Sequence, residues 1–126
     1  MMPMKVALLA STFALASMQA AAAPLPPVAR AEIDGVLQRL QTSGCEFNRN
    51  GSWYTGTEAR DHLQKKLDYL ERKDAVHSAE QFIELAASNS SVTGKPYLVL
   101  CSGTAPVQSR VWLTGELQAQ RSRHGK

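Results

Sequence analysis

Beyond an apolar start, the hydrophobic positions of this chain fall into several stretches of helical spacing and a few of strand character. Ile33, Val36, Leu37 and Leu40 recur at intervals of three and four and predict a first helix. Pro27 suits its first turn, and Gly44, after Thr42 and Ser43, marks its end. Cys45 to Asn48 reads as a short strand and Ser52 to Tyr54 as its return. Between them stands Asn50-Gly51, whose residues both tolerate positive φ and so predict a tight hairpin. Thr55 and Glu58 have the spacing of a capping box and open a second helix with the stripe Ala59, Leu63, Leu67 and Leu70. The pairs Asp61 with Lys65 and Asp68 with Arg72 sit four apart, acid first, and are expected to support its exposed face before Lys73-Asp74 ends it.

Ser78 and Gln81 form a second expected capping box. The third helix then runs to about Ser88 and buries Phe82, Ile83, Ala86 and Ala87. Asn89 to Gly94 is polar and turn-forming. Tyr97 to Cys101 is the best strand in the chain, apolar enough to predict a central strand buried on both faces. Ser102 to Pro106 reads as a loop. Ser109 is expected to cap a last helix bearing Val111, Trp112 and Leu117, interrupted by Gly115, before a frayed basic tail from Arg121 to Lys126. The expected architecture is α+β: about four helices packed on a small two- or three-stranded antiparallel sheet, in one domain over residues 30–120. Trp53, Tyr54, Tyr97 and Trp112 are expected mainly in the core, although a stacking surface is the alternative.

The N-terminus alters these counts. Lys5 precedes an almost wholly apolar run from Val6 to Met18, and Ala20 to Ala23 follow before Pro24. A charged start, a short apolar middle and small residues at the end describe a secretory signal peptide over residues 1–22. The run is too short for a membrane span of about 20 residues. Ala20 and Ala22 fit the small-residue requirement of the peptidase, so cleavage is expected after Ala21 or Ala22. A short proline-rich lead, residues 23–29, would then precede the domain. Losing Lys5 takes the formal charge from +3 to +2. Acids and bases are interspersed, which does not resemble the basic stripe of a nucleic-acid binder. Nothing after the signal is long and apolar enough to span a membrane.

Two cysteines, Cys45 and Cys101, stand 56 positions apart. In an exported chain an even count implies a disulfide formed in the oxidising periplasm. Closing so long a loop stabilises a fold by about 4 kcal/mol in the chain-entropy model. A bridge also requires α-carbons within about 7 Å, so the first and last strands should be antiparallel neighbours or near neighbours.

Arg49-Asn50-Gly51, His62-Leu63 with Lys66-Leu67, Ala79 to Ile83 and, above all, Ala87 to Tyr97 resemble the YfeK-like proteins, small exported bacterial proteins with a domain of unknown function. The likeness covers about residues 30–118. It implies export and a shared domain, and it implies no reaction, ligand or catalytic residue.

Candidate chemistry is sparse. Thr93-Gly94-Lys95 invites a phosphate-loop reading, but such a loop leaves a strand and enters a helix, and here the order is reversed. Asn50-Gly51-Ser52 and Asn89-Ser90-Ser91 match the glycosylation sequon and read as turns in a bacterial protein. Arg49 and Asn50 in one loop and Ser88, Ser90, Ser91 and Lys95 in another would meet at one end of the sheet if the strands pair antiparallel. That would form a surface for a carboxylate or phosphate. His62 stands four residues from Glu58 and from Lys66, where a carboxylate could make it an acid or base, although a solvated histidine on a charged helix face is the commoner arrangement. No two histidines have metal-ligand spacing, and no cofactor motif occurs. The leading expectation is a non-enzymatic binding or accessory module of the cell envelope, its partner an envelope protein or a small anion. The alternatives are a small envelope hydrolase using His62 and a structural or stress-related envelope protein. Intact mass of the protein recovered from the periplasm checks the export reading: the mature chain is expected to begin at Ala22 or Ala23.

Overall fold

The computed structural model describes residues 2–4, 9–12, 14 and 25–125, so the expected export segment lies largely, and its cleavage site entirely, outside the described residues. The elements run α1 (Pro27–Thr42), β1 (Glu46–Arg49), β2 (Ser52–Tyr54), α2 (Gly56–Arg72), α3 (Ala79–Ala86), β3 (Leu98–Leu100), β4 (Val107–Gln108) and α4 (Ser109–His124). Four helices and a sheet of order β2-β1-β3-β4, every pair antiparallel, make the α+β fold expected from the sequence. The strand count is the difference: the expected two or three strands are four.

The hairpin forms as read. Asn50 at φ 52° and Gly51 at φ 86° make a two-residue turn, and Phe47 pairs with Tyr54, Asn48 with Trp53 and Arg49 with Ser52. Thr55 and Glu58 complete their capping box, each side chain bonding the other's backbone amide. The second box forms by half. Ser78 Oγ accepts from the Gln81 amide, but Gln81 Oε1 accepts from His77, one residue earlier.

The disulfide fixes the sheet's centre. Cys45 and Cys101 are bonded with their α-carbons 4.3 Å apart, beside the Glu46–Leu100 pair of β1 and β3. Alternation along the strands then sorts the side chains. Cys45, Phe47, Tyr97 and Val99 are buried beneath the helices. Leu98 and Leu100, expected to be buried on both sides, are only half-buried. The reason is that the helices cover one face of the sheet. Trp53, on the opposite parity, is 41% exposed, Tyr54 and Trp112 are half-buried, and Tyr97 alone of the four aromatics is fully in the core.

Each helix contributes to one core. Ile33, Val36, Leu37 and Leu40 of α1 meet Ala59, Leu63 and Leu67 of α2, Phe82, Ile83 and Ala86 of α3, and Leu113 and Leu117 of α4. Leu25 and Ala29 join them, so the proline-rich lead is anchored in the core at its end. α4 departs from its expected form twice. Ser109 is its first residue, fully buried, and its hydroxyl makes no capping bond; the cap position belongs to Gln108. The helix also continues to His124, because Arg121 reaches both Glu32 of α1 and Glu80 of α3 and clasps three helices. The α2 ion pairs do not close. Among the described residues neither Asp61–Lys65 nor Asp68–Arg72 comes within 4 Å, and Gln64 donates to Asp68 at 3.0 Å. Exposed pairs of this kind contribute little, so solvation competes with them readily.

One close approach positions α2. A Cβ on Gly56 would lie 2.4 Å from the Leu40 carbonyl oxygen and 3.0 Å from that of Gln41, so the start of α2 packs on the end of α1 backbone to backbone. Gly56→Ala is therefore expected to lower stability by about 1–3 kcal/mol in urea denaturation. Gly115→Ala, where a methyl meets nothing within 4 Å in a helix interior, is expected to raise it by about 0.5–1 kcal/mol.

Candidate functional site

Arg49 ends the inner-face row of β1, one register step beyond the Asn48–Leu98 pair, which sets it across from Tyr97. α2 passes over this end of the sheet and brings His62 and Lys66, one turn apart, to the same place. Arg49 Nη1 lies 2.7 Å from His62 Nδ1 and 3.2 Å from Nε2, and its Nη2 donates to the Tyr54 hydroxyl at 3.3 Å. The guanidinium carbon sits 4.8 Å from the centre of the Tyr54 ring. Lys66 Nζ donates to the Tyr97 hydroxyl at 3.1 Å and to the Asn89 carbonyl at 3.4 Å.

Donor logic fixes the histidine tautomer. Arginine only donates, so Nδ1, the nearer nitrogen, must be bare and Nε2 must carry the proton. Nε2 stands 3.3 Å from the Tyr97 hydroxyl, which therefore accepts from His62 and from Lys66. The phenolic proton is left with no acceptor in this trio. Burial pushes the Tyr97 phenol above its usual range, so it stays a donor.

Positive charge dominates the immediate contacts, while Glu58 and Asp61 line an adjoining depression with Arg49 and His62. Burial first, and then Arg49, Lys66 and Lys65, lower His62 from 6.5 to about 4, so it is neutral at pH 7. Burial and the Arg49 charge also lower Lys66. Among the described residues no carboxylate lies within 4 Å of either Arg49 or Lys66. Glu58, four residues before His62, spends its carboxylate on the Thr55 amide. A depression of about 340 Å³ opens over this centre; Arg49, Tyr54, His62, Lys66, Ser91 and Tyr97 are among its walls.

The expected site residues divide. Arg49, Asn50, Ser90 and Ser91 do line this depression. Asn50 and Ser90 are also the rivets of the loop. Asn50 Nδ2 donates to Ser90 Oγ at 3.1 Å, Thr93 Oγ1 donates to Asn50 Oδ1 at 2.6 Å, and the amides of Val92 and Thr93 donate to Ser90 Oγ. Ser88 lies beneath, donating 2.7 Å to the Ile83 carbonyl at the end of α3. Lys95 stays exposed and lines none of the depressions described here; the Asn89–Pro96 bridge closes residues 90–95 into a turn of their own. The second cation of the site is Lys66. Lys66 is not among the expected anion contacts, Tyr54 and Tyr97 are expected mainly in the core with a stacking surface as the alternative, and His62 is weighed as an acid or base against a solvated helix residue. The four-residue spacing of His62 and Lys66, one helical turn, was the available signal.

No group of three His, Cys, Asp or Glu among the described residues is placed to hold a metal ion, and no helix among them is long and apolar enough to cross a membrane.

A family model described as a family of unknown function, DUF5329, matches residues 27–121. The uncharacterized protein YfeK of Salmonella typhimurium is 43% identical over 68 residues, which are 53% of this chain and 55% of that protein. The chain thus spans about half the length of the curated relative it matches. No solved structure matches it.

The lowered His62 predicts acid sensitivity. The unfolded chain takes up this proton near pH 6.5 and the folded chain only near 4. His62 therefore contributes its full stability above about pH 6.5 and loses it as pH falls towards 4. After solvent screening at a half-exposed site, the loss is expected to be on the order of 1 kcal/mol. Thermal melts between pH 7 and 5 check it: wild type should lose more than His62→Gln.

Proposed function

The chain belongs to the DUF5329 family, and on that footing we propose that its domain is an exported, non-enzymatic binding module of the bacterial cell envelope that captures small anions. The observation that carries this reading is the centre formed by Arg49 and Lys66, two half-buried cations without a carboxylate within 4 Å among the described residues. Keeping like charges together under partial burial costs free energy, and the lowered Lys66 is the signature of that cost. An anion seated between them would offset it. The donors are suitable. Arginine retains N–H groups beyond those used on His62 and Tyr54, Lys66 has a third proton, and the Tyr97 hydroxyl has its own. Their convergence suits a carboxylate or phosphate oxygen.

The same geometry speaks against the hydrolase reading. A histidine base is oriented by a group that accepts its other N–H and stabilises its protonated form. His62 instead faces Arg49, with Lys66 close behind, and at about 4 it is a weak base near neutral pH. Export and residence in the periplasm rest on the charged and apolar N-terminus and are supported by the bonded Cys45–Cys101 pair.

Calorimetry and thermal shift on the mature, disulfide-bonded chain test the proposal. Millimolar phosphate or a small carboxylate is expected to raise the melting temperature. Losing one charge-assisted bond costs about 1.5–3 kcal/mol, so Arg49→Gln and Lys66→Gln should each weaken binding tenfold or more. Lys66→Gln should leave the unliganded melting temperature unchanged or higher. Wild-type protein that shows no anion-dependent shift refutes the reading.

A further inference from the structure

A groove leads away from the cationic centre along α2. His62, Lys66 and Ser91 form one end, and Tyr69, Leu70 and Leu85 line the other. Tyr69 is seven residues beyond His62 and three beyond Lys66, so a single stripe of α2 turns from charged to apolar along its length. Across from it, α3 presents Leu85. Tyr69 is 54% exposed and Leu85 49% exposed, so two large apolar side chains lie open to water next to two poorly solvated cations. The groove holds about 240 Å³ and shares His62, Lys66 and Ser91 as walls with the depression of about 340 Å³. Ligand cavities run from about 300 to 1,000 Å³. The groove alone falls short of that range, and the neighbouring depression lies inside it.

Resting on the anion-binding reading, we infer that the ligand is a small, monomeric amphipathic anion, with a phosphate or carboxylate head held by Arg49, Lys66 and Tyr97 and an apolar tail laid along Tyr69, Leu70 and Leu85. Charge complementarity orients it: the head belongs at the end where Arg49 and Lys66 have no carboxylate within 4 Å among the described residues, and the tail at the end with exposed hydrocarbon. The two halves reinforce one another. A tail in the groove removes water from beside Lys66, and the head's attraction to the ammonium grows as the surroundings dry. Each methylene that enters the groove is expected to tighten binding about fourfold.

Calorimetry with inorganic phosphate and with n-octyl phosphate below its micelle concentration separates the two readings. The expected result is octyl phosphate binding at least tenfold more tightly than phosphate. Leu85→Ser removes a half-exposed side chain of the tail end, away from Arg49 and Lys66; it should shrink that increment severalfold and leave the affinity for phosphate unchanged. Lys66→Gln should weaken both ligands. Equal affinity for the two ligands overturns the amphipathic assignment and leaves anion binding standing, whereas failure of both ligands overturns both. Equally tight binding of n-octanol overturns the role of the head. Association with phosphatidylglycerol vesicles without binding of monomeric octyl phosphate overturns the monomeric ligand.

Discussion

The antiparallel pairing of β1 with β3 is the constraint on which the remaining geometry depends. It is held covalently at one end, where Cys45 meets Cys101, and its register carries to the other end, where Arg49 comes opposite Tyr97. A slip of one residue would turn Arg49 and Phe47 to the uncovered face and put Asn48 into the core. The bridge stands one register step from Glu46 and three from Asn48, so it fixes a strand pair only three residue pairs long, which on its own would define its alignment weakly. The helices then need only be placed against one face. The contact between Gly56 and the end of α1 does this for α2, and α2 delivers His62 and Lys66.

Much of this was legible in the residues. The helical stripes, the Asn50-Gly51 turn, the Thr55–Glu58 cap and the neighbouring of the cysteine-bearing strands are local or covalent features, and each has a sequence signature. β4 was not legible. It consists of Val107 and Gln108, both exposed, and exists because β3 offers it a partner. The extent of α4 was misjudged because Arg121, one of several basic residues near the terminus, looked like a solvated tail. Its partners Glu32 and Glu80 are 89 and 41 positions earlier in the chain, a distance at which composition carries no information.

The site shows the same division. Arg49, Asn50, Ser90 and Ser91 can be placed together from the sequence because the antiparallel pairing brings two loops to one end of the sheet. That argument extends to loops and not to the helix laid over them. Lys66 and His62 looked like ordinary members of a charged helix. Only the docking of α2 makes one of them a half-buried cation and the other a neutral ring wedged between Arg49 and Tyr97. Lys95 was favoured because it is near in sequence to the serines, but a loop closed by Ser90 and Thr93 keeps its own company.

The outer strands are very short: β2 has three residues and β4 two. Unpaired strand edges are where foreign chains add on, and the length of free backbone sets how well they can be templated. Under the proposed export, the chain would fold among many other newly exported polypeptides, where such misassociation is a particular risk. By ending its sheet on two stubs, this domain offers little for another polypeptide to zip onto. It can carry exposed Trp53 and half-exposed Leu98 and Leu100 on its open face without thereby becoming a seed for aggregation.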